Sequence, residues 1–454
     1  MSAVDPAALE DLRQVEAELD TRWPETKLDP SLDRVRALTE ILGDPQRSYP
    51  VVHLTGTNGK TSTSRMIDAL FTRIGLRTGR YTSPHLQLAT ERINVDNEPI
   101  SPDRYVEVYR DVEPYVSIVD ARGDVPMSKF EVLTGMAYAA FADAPVDVAV
   151  VEVGLGGTWD ATNVADGRIA VITPIGLDHV DYLGPTLEGI AEEKAGIIKP
   201  GAVAVLAEQD PVVERVLLRR AAEVDATVAR QGAEFGVLGR DVAIGGQVLR
   251  LQGLGGIYED VFLPLHGAHQ AANAALALAA VEAFFGAGAD RRLDVEAVRE
   301  AFATVASPGR LERVRSAPTV LVDAAHNPHG AAALAKALDE EFGFRKLVAV
   351  VGVMADKDAE GILVALEPVV NEVVLTANSS RRSMDPDALA SLAVPIFGED
   401  RMVVVPHLVD AVEEAVRLAE EDDDTGVVSG GGVIVTGSVV TAGEARALFG
   451  KEPS

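Results

Sequence analysis

Nine short runs rich in Val and Ile recur along the chain, at residues 51–54, 146–153, 169–173, 202–206, 319–322, 347–351, 372–375, 402–405 and 433–436. Most are separated by segments with helical periodicity. Apolar strands alternating with helices predict an α/β fold built on mainly parallel sheets. One stretch departs from this pattern. Residues 228–263 hold several glycines and partly alternating apolar positions (Val242, Ile244, Val248, Leu249, Leu251). They read as a small antiparallel insertion ahead of an Ala-rich helix at 269–285.

At 454 residues the chain is too long for one ordinary core. The break falls at 304–315, around Ser307-Pro308-Gly309, after which a fresh strand–helix alternation begins. The expected division is a first domain over residues 1–305, a linker over 306–315 and a smaller, Rossmann-like α/β domain over 316–454. The acidic run 420–424 and the following 429–432 read as a solvated loop before the last strand. The acidic N-terminus (Asp5, Glu10, Asp11, Glu16, Glu18) is helical in pattern and unlike a secretory signal.

Composition narrows the function. The 41 basic and 70 acidic side chains give a formal charge of −29, so a nucleic acid is not an expected partner. No apolar run approaches the roughly 20 residues of a membrane span. The chain has no cysteine, which rules out disulfides, thiolate metal sites and a cysteine nucleophile. A cytoplasmic protein is expected. Anionic substrates remain open to it, given a local pocket of cations and helix N-termini.

The sharpest chemical signal is Val51-Val52-His53-Leu54-Thr55-Gly56-Thr57-Asn58-Gly59-Lys60-Thr61-Ser62. An apolar strand enters a glycine-containing turn, and a helix then begins whose apolar face holds Met66, Ile67, Leu70, Phe71 and Ile74. Backbone amides of such a turn cradle phosphates, and Lys60 faces the β- and γ-phosphates. The spelling is unusual, with two residues rather than four between the first Gly and Gly-Lys-Thr. Two further strand ends deliver polar residues to the same side: Glu152 follows 148–151, and His179 lies just beyond 169–173. In open α/β sheets ligands sit outside the carboxyl ends of strands, so Lys60, Glu152 and His179 converge, with Mg²⁺ held beside ATP.

Several motifs together resemble the folylpolyglutamate synthase and dihydrofolate synthase family. They are Thr55–Lys60, Tyr81-Thr82-Ser83-Pro84-His85-Leu86, Phe130-Glu131, Glu152-Val153-Gly154-Leu155-Gly156-Gly157, Asp160-Ala161-Thr162-Asn163 and Leu177-Asp178-His179. Further along come residues 191–198, His269-Gln270-Ala271-Ala272-Asn273, residues 307–312, Asp323-Ala324-Ala325-His326-Asn327-Pro328 and Thr436-Gly437-Ser438. The phosphate loop alone implies only the wider Mur-ligase-like group.

The resemblance implies an ATP-dependent ligase that activates a carboxylate as an acyl phosphate and joins L-glutamate to dihydropteroate or a reduced folate. It implies that Thr57, Asn58, Gly59, Lys60 and Thr61 hold the ATP phosphates, with Asn273, Arg310, Asp323 and His326 as further nucleotide contacts. Ser83, Glu152 and His179 are the implied magnesium ligands, and Phe130 and Asp160, with Ser83, the implied substrate side. Lys194 matches a lysine that carries a carbamate in the family and reaches a second Mg²⁺. Lys60, His179 and Lys194 are thus the implied catalytic residues of a monomer. Two positions depart from the family: Thr61 stands where Gly is common, and Trp159 where a smaller or basic pair sits. The alternatives are a Mur-type amino-acid ligase acting on a UDP-linked precursor, and an ATP-binding switch without ligase chemistry.

Overall fold

The structure is a computed structural model that describes residues 5–23, 29–286, 288, 291–421 and 430–453. Its first sheet holds β1 (Val51–Thr55), β2 (Thr78–Tyr81), β3 (Ile93–Val95), β4 (Glu98–Pro99), β5 (Val148–Glu152), β6 (Gly167–Ile172), β7 (Val203–Leu206) and β8 (Thr227–Arg230). The order is β4-β3-β2-β5-β1-β6-β7-β8, and only the β2–β3 and β3–β4 pairings are antiparallel. A three-stranded antiparallel sheet follows, made of β9 (Gly236–Ala243), β10 (Gly246–Gln252) and β11 (Ile257–Leu263). The last sheet contains β12 (Glu312–Ser316), β13 (Thr319–Val322), β14 (Lys346–Val351), β15 (Glu372–Ala377), β16 (Met402–His407) and β17 (Gly431–Thr436). Its order is β12-β13-β17-β14-β15-β16, parallel except at the β12 edge.

The continuous apolar strands follow from helices on both faces, which leave no side for water. Every residue of β1 and β5 is buried. The helices Lys60–Ile74 and Ala268–Phe284 cover one face of the first sheet, and Pro102–Asp120 with Lys129–Asp143 cover the other. The Ala268–Phe284 helix buries fourteen of its seventeen residues. Alanine at so many positions lets it pass between the large sheet and the antiparallel one without steric cost. Each fully buried Leu there, Leu276 and Leu278, contributes about 1.5–3 kcal/mol.

Three differences from the sequence reading have physical causes. Residues 227–230 are not part of the antiparallel insertion; they close a βαβ unit after the helix Pro211–Glu223 and pair in parallel with β7. Residues 312–315 of the expected linker pair with β13 as an edge strand, half-buried and charge-rich as edges are. The strands β2, β3 and β4 carry no strand signal in the sequence, and Thr78-Gly79-Arg80-Tyr81 in particular has no apolar run. Arg80 is fully buried all the same, its Nε donating to Asp68 at 2.8 Å and its Nη2 to Asn94 at 2.7 Å. That ion pair ties β2 to the helix Lys60–Ile74. The acidic run lies partly outside the described residues, and the last strand begins at Gly431. Among the described residues no helix is long and apolar enough to cross a membrane.

The antiparallel sheet is joined to the last one through Glu341, at the end of the helix Pro328–Glu341. Its fully buried carboxylate accepts hydrogen bonds from the Gly267 amide (2.7 Å) and the Arg240 guanidinium, and pairs with His266 Nδ1 (2.8 Å).

Candidate active site

β1 delivers the chain into a turn that only glycine can make at two points. Gly56 has φ +148° and its Cβ would fall 1.9 Å from Thr173 Oγ1; Gly59 has φ +90° and its Cβ would meet Asn273 Oδ1 at 2.8 Å. The Thr57 hydroxyl donates to the Gly176 carbonyl and accepts from the Gly176 amide, both at 3.0 Å. The amides of Thr57 and Asn58 approach the Pro174 carbonyl. This locks the loop onto the segment beyond β6. The helix opens at Lys60, whose Nζ donates to the carbonyls of Gly56 (3.0 Å) and Thr57 (3.3 Å). Burial pushes the Lys60 ammonium down, while Glu152 and Asp178 pull it back up.

Adjacent strand ends complete the inner wall. Glu152 closes β5 at 1% exposure and accepts the Thr61 hydroxyl at 3.1 Å on both oxygens. Burial raises its pKa to about 7, more than Lys60 and Thr61 offset. His179, at φ 52°, opens the short helix Val180–Leu183, and burial lowers its pKa to about 4. Lys194, in the helix Leu187–Ala195, is 4% exposed and donates to the Gly56 carbonyl at 2.9 Å. Burial, with the Lys60 charge beside it, lowers its pKa to about 7. Ile190, Ile197 and Ile198 are buried, as the spacing of that segment predicts.

Residues 56–62, Ser83, Glu152, His179, Lys194, Arg310 and His326 all border one inner cavity of about 140 Å³. It opens beside a larger one of about 1150 Å³, whose wall includes Phe130, Trp159, Asp160, His326, Lys357 and Arg382. The two strand systems meet at Asp178. Its carboxylate accepts Lys357 Nζ at 2.6 Å and Asn327 Nδ2 at 3.0 Å, with His326 Nε2 3.7 Å away. Burial acts to raise the Asp178 carboxyl, but His179, Lys357 and His326 together hold it below the usual carboxylate range. Asn58 Nδ2 makes a parallel contact with His329 Nδ1 at 2.9 Å.

Three expected site residues sit differently from the rest. Asn273 lies against Gly59 of the loop and donates to Gln270 in its own helix, but borders neither cavity. Asp323 uses its two oxygens on the amides of Leu311 and Ala325, and it too borders neither. Asp160 lines the larger cavity at 3% exposure, with its oxygens taken by Leu155 and Thr162. Sequence reasoning passed over Lys357 and Arg382. The signal for Lys357 was present, since it follows the carboxyl end of β14 as Glu152 and His179 follow theirs.

The residues present suit a magnesium ion. Among the described residues no three His, Cys, Asp or Glu side chains form a ready-made cage. Mg²⁺ keeps several waters and takes one or two carboxylates plus phosphate oxygens, so it needs no such cage. A buried Glu152 whose pKa stands near 7 is a carboxylate short of positive charge, and the Thr61 hydroxyl lies against it.

A glycine-turn nucleotide loop on a parallel sheet, facing a second α/β unit across a cleft, defines the Mur-ligase class. Residues 130–281 match the Mur ligase middle domain, and residues 309–432 match the Mur ligase, glutamate ligase domain. The chain is 58% identical over 466 residues to a Mycobacterium tuberculosis dihydrofolate synthase/folylpolyglutamate synthase, covering 99% of this chain and 96% of the relative. It superposes at TM-score 0.94 on a Mycobacterium tuberculosis folylpolyglutamate synthase complexed with ADP, with 58% identity over 98% of this chain and all of that one. An Escherichia coli FolC in complex with DHPP and ADP matches at TM-score 0.83 and 29% identity, covering 98% and 99% of the two chains. The chain belongs to the dihydrofolate synthase/folylpolyglutamate synthase family.

Proposed function

We propose that this chain is an ATP-dependent ligase that adds L-glutamate to dihydropteroate and to reduced folates, as a cytoplasmic monomer. The observation that carries the reading is the convergence of Lys60, Glu152, His179, Lys194 and Arg310 on one inner cavity that opens into a larger, partly apolar one. The relatives' own ligands support it: ADP in the mycobacterial enzyme, DHPP with ADP in the Escherichia coli one.

The chemistry follows from what an amide bond requires. A carboxylate oxygen of the pterin-bearing substrate attacks the γ-phosphorus, the bond to the β-phosphate oxygen breaks, and ADP leaves. The glutamate nitrogen then attacks the acyl carbon, loses a proton, and phosphate departs. Lys60 and Arg310 supply fixed positive charge where the phosphoryl oxygens gather it. Mg²⁺, held by Ser83, Glu152 and His179 and at a second position by a carbamylated Lys194, would supply further charge neutralisation when bound. Thr61 orients Glu152 through its hydroxyl. Phe130 and Trp159 offer flat apolar surface for a pterin, while Lys357 and Arg382, paired with Asp178 and Asp356, are the cations on the same wall that a dicarboxylate amine donor would meet.

Phosphate release is the direct test. It is expected to require both glutamate and dihydropteroate or tetrahydrofolate, with a product one glutamate heavier by mass. Release with a UDP-muramoyl substrate, or ATP turnover indifferent to glutamate, would count against this function.

The proposed division places nucleotide contacts on both sides of the cleft, with residues 1–305 as one unit, 306–315 as linker and 316–454 as the other. Turnover then needs both. A fragment of residues 1–305 is expected to bind ATP weakly and to ligate nothing, and full ligation by that fragment sinks the division.

A further inference from the structure

The loop that carries Ser83 belongs to the first sheet, yet it is anchored in the second unit. The Leu86 side chain packs against the cluster around Val322, Ala324 and Ala442. The Leu86 carbonyl lies so close to the helix Val439–Leu448 that a Cβ on Gly443 would come within 2.0 Å of it. Glu91, 4% exposed, gathers the amides of Leu86 (2.7 Å), Gln87 (3.2 Å) and Leu88 (3.3 Å) and so fixes the loop's shape.

At the centre lies Arg446, a buried arginine in that last helix. Its Nη1 donates to Gln87 Oε1, its Nε to Glu312 Oε2 at 2.7 Å, and its Nη2 to the Glu452 carbonyl at 3.1 Å. The same Glu312 oxygen accepts the Gly309 amide at 2.8 Å. One planar guanidinium thus spans two loops: Gln87 is four residues past Ser83, and Gly309 immediately precedes Arg310. A forked cation fixes the distance and angle between its partners, which a single ammonium cannot do.

We propose that Arg446 is a positioning residue for the reaction, holding the Ser83 loop and the Arg310 linker in register across the phosphate site. This rests on the reading of Ser83 and Arg310 as phosphate-side groups. Gln87 and Glu312 transmit the constraint, and Gly443 is the contact that lets the helix come close enough to impose it.

The test measures binding of a non-hydrolysable ATP analogue with Mg²⁺, alongside amide hydrogen exchange at Leu86–Leu88 and the melting temperature. Arg446→Lys and Gln87→Ala are each expected to weaken analogue binding about tenfold and to speed exchange at those amides, with a smaller effect without Mg²⁺. Gln87→Ala alters a partly exposed side chain and keeps the test available should Arg446→Lys fail to fold. A purely structural arginine would lower the melting temperature and leave the folded protein's affinity unchanged, and that result from either variant overturns the proposal. Ser83→Ala separates the two levels. If it leaves Mg²⁺-dependent binding intact, the reading of Ser83 fails and the inference with it; if it weakens binding while both other variants bind normally, the inference alone fails.

Discussion

Lys194→Ala is expected to give a folded protein whose ligation rate falls by roughly 10²–10³-fold, the scale of losing one preorganised charged group at a phosphoryl-transfer centre. The side chain is buried and its Nζ donates to the Gly56 carbonyl beside the inner cavity, so truncation removes chemistry more than packing. Carbamate formation joins the ε-nitrogen to CO₂ and releases a proton, turning a cation into an anion with two oxygens. It requires the neutral amine. Burial has already brought the Lys194 pKa to about 7, so the neutral fraction rises from a minority at pH 6 to a majority at pH 8. Two measurements follow: a small carboxylate should partly restore the Ala variant, and wild-type protein depleted of CO₂ should recover faster at pH 8 than at pH 6 when both are given the same concentration of dissolved CO₂. Full activity of a folded Lys194→Ala would reject the assignment.

Lys60→Ala should be as severe for a different reason. Its Nζ reaches back over the loop to the carbonyls of Gly56 and Thr57, on the wall of the inner cavity. On the proposed reading the variant loses the cation that meets the β- and γ-phosphates, and kcat/KM for ATP should drop by roughly 10²–10³-fold. Thr57, Pro174 and Gly176 also hold the loop's backbone, so melting temperature should change little. Near-normal turnover in the folded variant would mean that this loop does not serve the reaction.

These two lysines also mark how far the sequence could be read. The first was legible from local pattern alone, because strand, glycine turn and helix are contiguous between Val51 and Ile74. Glu152 and His179 were legible from a rule about strand ends. Lys194 was legible only by resemblance; as Glu-Glu-Lys on a helix it looks like a surface residue, and its burial against Gly56 comes from packing over 138 residues of separation. β2 was illegible because a buried Arg80 reads as exposed until Asp68 and Asn94 are known to surround it. Asp178 sits in the Leu177-Asp178-His179 motif, yet its link to Lys357 spans 179 residues and has no local signature. The hydrogen bonds of Asp323 to the Leu311 and Ala325 amides depend on how the edge strand and β13 meet, which no local pattern shows.

The Glu341 clasp has a geometric consequence. It fixes one point between the antiparallel sheet and the last one, while Leu86 against Gly443 fixes another. Two fixed points define a line, so any opening that keeps both is a rotation about that line, like a door on two pins. Such a motion has one degree of freedom, and every group on the cleft wall travels along an arc whose radius is its distance from the axle. Residues near the pins barely move. The Lys357–Asp178 ion pair is a third link across the cleft, and such a rotation has to part it.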